Sequence, residues 1–326
     1  MLWSIFFSDH LDYPTYKLVY ENPQNNSWEI GYKFFNLLFF NAGFSFFVFR
    51  ALCMFTGLTI ISHILQKKSK MPIFVLSLLC IYPLLIYNIQ LRSFIAMSMV
   101  FFGTQFLTGE KNKAVLYVFF VFIASLFHFS AVIYLCFLIV PYINLKKLFR
   151  FIFLITVVSI FSARFLFPYL IDVLYKITSY DRILYYETNA YRDGRIPFSL
   201  IYIPLFAGFV FYLYRTRIYK NSIINKNDEN YLKISLTISV FPLLKFFSAE
   251  LDRIFVMSLP LYILGCSNYL KYTSKIKIKF ENNILIFYML LLTLLVFMHG
   301  WGPQNQDMFD ALKKILTTHE YGIGNV

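Results

Sequence analysis

The 326 residues carry 30 Lys and Arg against 17 Asp and Glu, a net charge of +13, yet only 14% are charged and 59% are apolar, with 40 Phe and 25 Tyr. Apolar stretches of roughly 15 to 20 residues recur along the whole length, as bilayer-spanning helices require and a soluble core of this size does not. The basic residues sit in short loops between those stretches, a membrane-orientation signature rather than a nucleic-acid footprint.

The pattern predicts an all-α fold, a polytopic membrane helix bundle with about ten transmembrane segments and an active-site cavity on its outer face. In chain order the segments are Phe46–Leu65, Met71–Tyr87, Leu91–Leu107, Ala114–Phe127, Phe129–Tyr142, Phe149–Phe167, Ile196–Tyr214, Leu232–Phe247, Ile254–Leu270 and Ile284–Met298. Residues 1–45 form a non-cytoplasmic N-terminal segment, 46–300 the transmembrane domain with a periplasmic loop at 168–195, and 301–326 a non-cytoplasmic tail. The fourth and fifth segments are short. At about 1.5 Å per residue, 14 residues cover only about 21 Å, so these two suit a shallow hairpin or one broken helix.

Loop charge sets the orientation. Lys67, Lys68 and Lys70, then Lys111 and Lys113, Lys146, Lys147 and Arg150, Arg215 to Lys233, and Lys271 to Lys279 fall on alternate loops and hold more than half of the basic residues. That side is cytoplasmic. The opposite face receives the N-terminal segment, with Asp9, Asp12, Glu21 and Glu29, and the loop at 168–195. This loop interleaves Tyr169, Tyr175, Tyr180, Tyr185, Tyr186 and Tyr191 with Arg182, Arg192 and Arg195. Aromatic faces suit sugar rings and guanidinium forks suit phosphates, although an interfacial aromatic belt gives the same composition.

Arg92, His128 and Arg253 each stand at the outer start of an apolar segment. Helix N-termini carry partial positive charge, so cations there are unfavourable unless an anion sits between them. A phosphate or diphosphate fits, because Arg offers paired donors to phosphate oxygens. Each residue alone has a plain structural alternative: Arg92 and Arg253 can snorkel to headgroups, Glu250 or Asp252 can neutralise Arg253, and His128 can be a bonded turn residue. Arg50, Arg164 and Lys245 extend the basic funnel. The four cysteines lie inside apolar runs without metal-ligand spacing, and the sequence has no His/Cys cluster, nucleophile elbow or phosphate-cradling Gly loop. No cofactor is expected.

Five short elements together are similar to those of the EpsG/Wzy-type polysaccharide polymerases. They are Asp12-Tyr13-Pro14-Thr15-Tyr16, Trp28-Glu29-Ile30-Gly31-Tyr32, Gln90-Leu91-Arg92-Ser93-Phe94-Ile95-Ala96, Ser125-Leu126-Phe127-His128-Phe129-Ser130-Ala131 and Leu251-Asp252-Arg253-Ile254-Phe255 followed by Pro260. Relative to the family pattern a first transmembrane helix is missing. The resemblance implies a metal-independent glycosyltransferase that joins undecaprenyl-diphosphate-linked oligosaccharide repeat units, donor to acceptor, on the outer face of the bacterial cytoplasmic membrane. Its product would be O-antigen (lipopolysaccharide) or exopolysaccharide, with a chain-length regulator as a possible partner and membrane lipids around it. It further implies Arg92 and Arg253 on the leaving diphosphate and His128 as base. Asp12, Tyr13, Glu29, Arg182, Arg192, Arg195, Glu250 and Asp252 are the substrate-binding set, in which the acidic residues are alternative bases or orienters. An O-antigen ligase, a lipid-phosphate-sugar-dependent glycosyltransferase with an acidic metal site, and a non-enzymatic flippase are the competing readings.

Overall fold

The computed structural model describes residues 12–25, 28–81, 90–109, 113–178, 201–218, 225–246, 252–270 and 276–300. Among them there is no strand. Eleven α-helices run in chain order: α1 Asp12–Glu21, α2 Ile30–Asn41, α3 Phe46–Lys68, α4 Pro72–Ile81, α5 Leu91–Thr108, α6 Ala114–Phe127, α7 Leu145–Thr178, α8 Tyr202–Leu213, α9 Lys226–Ile238, α10 Asp252–Ser267 and α11 Ile276–Gly300. The chain divides into two compact units. One comprises residues 1–135 and 270–326, the other residues 136–269.

The N-terminal segment read from sequence as a tail contains two helices, α1 and α2. They follow from local chemistry. Asp12 opens α1, where a carboxylate complements the positive helix end. α2 ends at Asn41 with Ala42 as its C-cap, and Gly43 takes a positive φ of 79° that turns the chain back toward α3. Ser45 then caps α3 by accepting the Val48 amide, and Lys67 and Lys68 fill its last turn.

In the first unit α5 packs between α3 and α6, and α2 packs on α6. Gly57 of α3 makes room for the ring of Phe94, which a Cβ there would strike. α3 and α5 are the two helices long and apolar enough, among the described residues, to cross a bilayer. The exposed faces carry large apolar side chains, including Ile73 at 80%, Val115 at 81%, Phe129 and Phe153. So many large apolar side chains turned outward suit contact with lipid better than contact with water.

Several expected boundaries shift. The fifth segment is a 3-10 helix, Phe129–Ile139, rather than an α-helix. Its rise of about 2.0 Å per residue lets 11 residues span about 22 Å instead of about 16 Å, which stretches a short segment across more depth. α7 continues through Pro168 to Thr178, so the first part of the predicted outer loop is helical. The eighth segment breaks into α9 and a 3-10 turn at Phe241–Phe246. The second segment is described only as far as Ile81, and residues 182, 192 and 195, Glu250 and the tail at 301–326 lie outside the described residues.

The second unit contains α7 to α10, and at its heart α9 is buried almost all round despite its polar sequence. Its charges are satisfied internally: Lys233 pairs with Glu229 at 2.9 Å, and Asn268 donates to Asp228 at 3.1 Å. The Ser235 hydroxyl donates to the Tyr262 carbonyl at 2.9 Å, tying α9 to α10 where Gly265 leaves no gap. A methyl at Gly265 would overlap Ser235 Oγ and the Tyr231 carbonyl oxygen. Gly265→Ala is therefore expected to force the two helices apart and destabilise the fold by about 1–3 kcal/mol, read as a lower midpoint of thermal unfolding in detergent.

Candidate functional site

Trp28, Glu29 and Ile30 lead into α2, Leu91 and Arg92 begin α5, and His128 is the extended residue that separates α6 from the following 3-10 helix. Close packing of α2 on the end of α6 brings these three places together. A Cβ on Gly31 would sit 2.8 Å from the Leu126 carbonyl oxygen and 3.0 Å from Leu126 Cβ, so only glycine admits this approach. Phe35 closes the same seam edge-on against Phe127, ring centres 5.1 Å apart.

Glu29 is the centre of the cluster. Its Oε2 accepts from Arg92 Nη1 at 2.5 Å, and its Oε1 lies 3.1 Å from His128 Nδ1 and 3.3 Å from the Phe129 amide nitrogen. A carboxylate only accepts, so Nδ1 carries the proton and Nε2 of a neutral His128 keeps its lone pair. Arg92 has two further contacts. Its Nε donates to the Tyr16 hydroxyl at 3.4 Å, and its guanidinium carbon lies 4.1 Å from the centre of the Trp28 ring. The side chains of Arg92, Glu29 and His128 are 20%, 21% and 29% exposed, so all three remain within reach of a ligand.

Electrostatics follow from this geometry. A cation in the first turn of α5 is disfavoured by the helix dipole, while the carboxylate lies beside the amide that starts the 3-10 helix, where negative charge is favoured. Burial opposes ionisation of Glu29, but the hydrogen bond from His128 and the charge of Arg92 outweigh it and hold the carboxyl down at about 2. The anion that the two basic residues call for is thus supplied, in the free protein, by the chain itself.

The remaining candidates are taken in turn. Tyr13 lies under the guanidinium of Arg50, 5.1 Å from ring centre to Cζ, and Arg50 is itself buried on α3. Asp12 begins α1 and is half-buried. Arg253 is exposed at the start of α10 in the second unit, where Asp252 is the first helical residue. Arg182, Arg192, Arg195 and Glu250 fall outside the described residues. Among the described residues no group of three or more His, Cys, Asp or Glu side chains is placed to hold a metal ion. Trp28, Tyr16 and Gly31 belong to the site without having been singled out as site residues. Their signal in the sequence was membership of two of the family-like elements, Tyr16 in the first and Trp28 and Gly31 in the second.

A helical protein with apolar outward faces and a carboxylate–arginine–histidine cluster at helix ends is, by class, a helical membrane protein. The chain belongs to the EpsG family, whose model matches residues 4–310. Searches of curated proteins and of solved structures found no match.

Two outcomes test this geometry. Gly31→Ala is expected to push α2 off α6 and separate Glu29 from His128, with a loss of stability of about 1–3 kcal/mol and a melting midpoint lower than that of wild type. A carboxyl with a depressed folded pKa contributes stability that is full above its unfolded value and lost as pH falls through the folded one. The melting midpoint of wild type should therefore exceed that of Glu29→Gln by a constant margin down to about pH 4.5, and the margin should close as pH approaches about 2.

Proposed function

We propose that the protein is a polysaccharide polymerase that transfers a growing glycan from an undecaprenyl diphosphate carrier to a hydroxyl of a second lipid-linked repeat unit. The reaction takes place on the outer face of the bacterial cytoplasmic membrane and builds O-antigen or exopolysaccharide. The observation that carries the reading is the Glu29-bridged pair of Arg92 and His128, built from three of the elements that resemble the family. Membership of the EpsG family supports a polymerase role, and the loop charge pattern supports the outward orientation.

In this mechanism His128 Nε2 takes the proton of the acceptor hydroxyl as its oxygen forms a bond to the anomeric carbon of the donor sugar. The bond from that carbon to the phosphate oxygen breaks, and its electron pair leaves with the carrier diphosphate. Glu29 holds the imidazole in the tautomer that presents Nε2 and stabilises the imidazolium that forms, the role a carboxylate plays behind a histidine base. Arg92 stands beside this base, where its charge offsets the negative charge that develops on the leaving diphosphate. Arg253 is a separate candidate for phosphate contact, as are Arg182, Arg192 and Arg195, with Tyr13 and the acidic residues Asp12, Glu250 and Asp252 toward the sugars. The mechanism uses no metal.

Single substitutions Arg92→Ala, His128→Ala and Arg253→Ala, each checked for membrane expression, test it on a glycan ladder. The expected result is a collapse toward single-repeat products, with His128→Ala losing about 10²–10⁴-fold in rate as for removal of a general base. Wild-type polymer length in all three would overturn the reading, and disappearance of every outside product would point instead to a flippase.

A further inference from the structure

Arg92 is already paired in the free protein, which raises the question of how it could also meet a substrate anion. The contacts divide cleanly into two sets. Arg92 keeps the Trp28 ring face and the Tyr16 hydroxyl without any help from Glu29. Glu29 keeps His128 Nδ1 and the Phe129 amide without any help from Arg92. Both partners of the ion pair are also partly exposed. The pair can therefore part with each half still held in place.

We propose that Glu29 is an internal stand-in for the substrate's phosphate. On binding, a diphosphate oxygen replaces the Glu29 carboxylate on Arg92, while Trp28 and Tyr16 keep the guanidinium where it stands. The exchange makes and breaks no covalent bond and moves no proton. It is favourable because a diphosphate brings more charge and more acceptor oxygens to the guanidinium fork than one carboxylate does. Released from Arg92, the carboxylate stays on His128 Nδ1 and the Phe129 amide, so the imidazole keeps the tautomer that presents Nε2 while the guanidinium holds the leaving group. Trp28 and Tyr16 are then positioning residues that act through Arg92. The identity of the anion as a diphosphate rests on the polymerase reading; the exchange itself does not.

The test uses the full chain in detergent and inorganic pyrophosphate as the probe, with binding followed by calorimetry. Glu29→Gln removes the competing charge with little change of shape and is expected to tighten pyrophosphate binding at least tenfold. The gain should vanish in Glu29→Gln/Arg92→Ala, which should bind no tighter than Arg92→Ala alone. Trp28→Leu in the Glu29→Gln background should cut the affinity severalfold, and Trp28→Phe, which keeps a ring face, should restore part of it. Affinity in Glu29→Gln equal to or weaker than wild type overturns the proposal, as does a gain that survives Arg92→Ala. If Glu29→Gln does not accumulate in folded form, Glu29→Asp draws the carboxylate back from Arg92 and should give a smaller gain, with the same outcomes overturning it. The glycan ladder separates this proposal from the function. Lost polymer without tightened binding removes the exchange and leaves the polymerase reading, whereas tightened binding with ladders unaltered by Arg92→Ala and His128→Ala does the reverse.

Discussion

A guanidinium placed in the first turn of a helix, in surroundings with little water, needs an anion close by. In this protein that need is met where α2, α5 and the end of α6 come together. Arg92 meets it with Glu29, and Glu29 in turn must be delivered from a different helix, so α2 has to lie hard against the end of α6. Gly31 makes that approach possible, and the extended conformation of His128 turns an imidazole and the next amide toward the same carboxylate. Removing any one of these leaves a partly buried charge or donor without its partner.

The second unit answers the same constraint differently. α9 carries Asp228, Glu229 and Lys233 in a largely buried helix, and it satisfies them through an i,i+4 ion pair and a carboxamide from the end of α10. Its polar groups are turned inward, while Phe, Ile and Val side chains elsewhere on the protein are turned out. That inversion is what a low-dielectric surrounding selects, because every polar group must find its partner within the protein.

The length and recurrence of the apolar runs made the all-helical class legible, and most helix centres among the described residues fall where those runs predicted them. Boundaries were harder. The buried side chains Ala131, Tyr134 and Phe137 recur every third residue, as three residues per turn require, but Phe129–Ile139 is apolar at nearly every position, so its sequence does not reveal that stripe. Likewise α2 is a short apolar helix whose place depends on Gly31 meeting Leu126, a contact between residues far apart in sequence.

The sequence by itself placed Arg92, His128 and Arg253 at segment starts, where a basic side chain calls for an anion, because dipole and dielectric penalties depend on residue type and position along a helix. It also contained Glu29, in a motif already tied to the family, but gave it no more weight than several other acidic residues. Only the tertiary structure selected Glu29 among them, since which carboxylate reaches a guanidinium and an imidazole at once is settled by the packing of α2, α5 and α6 and not by any local pattern.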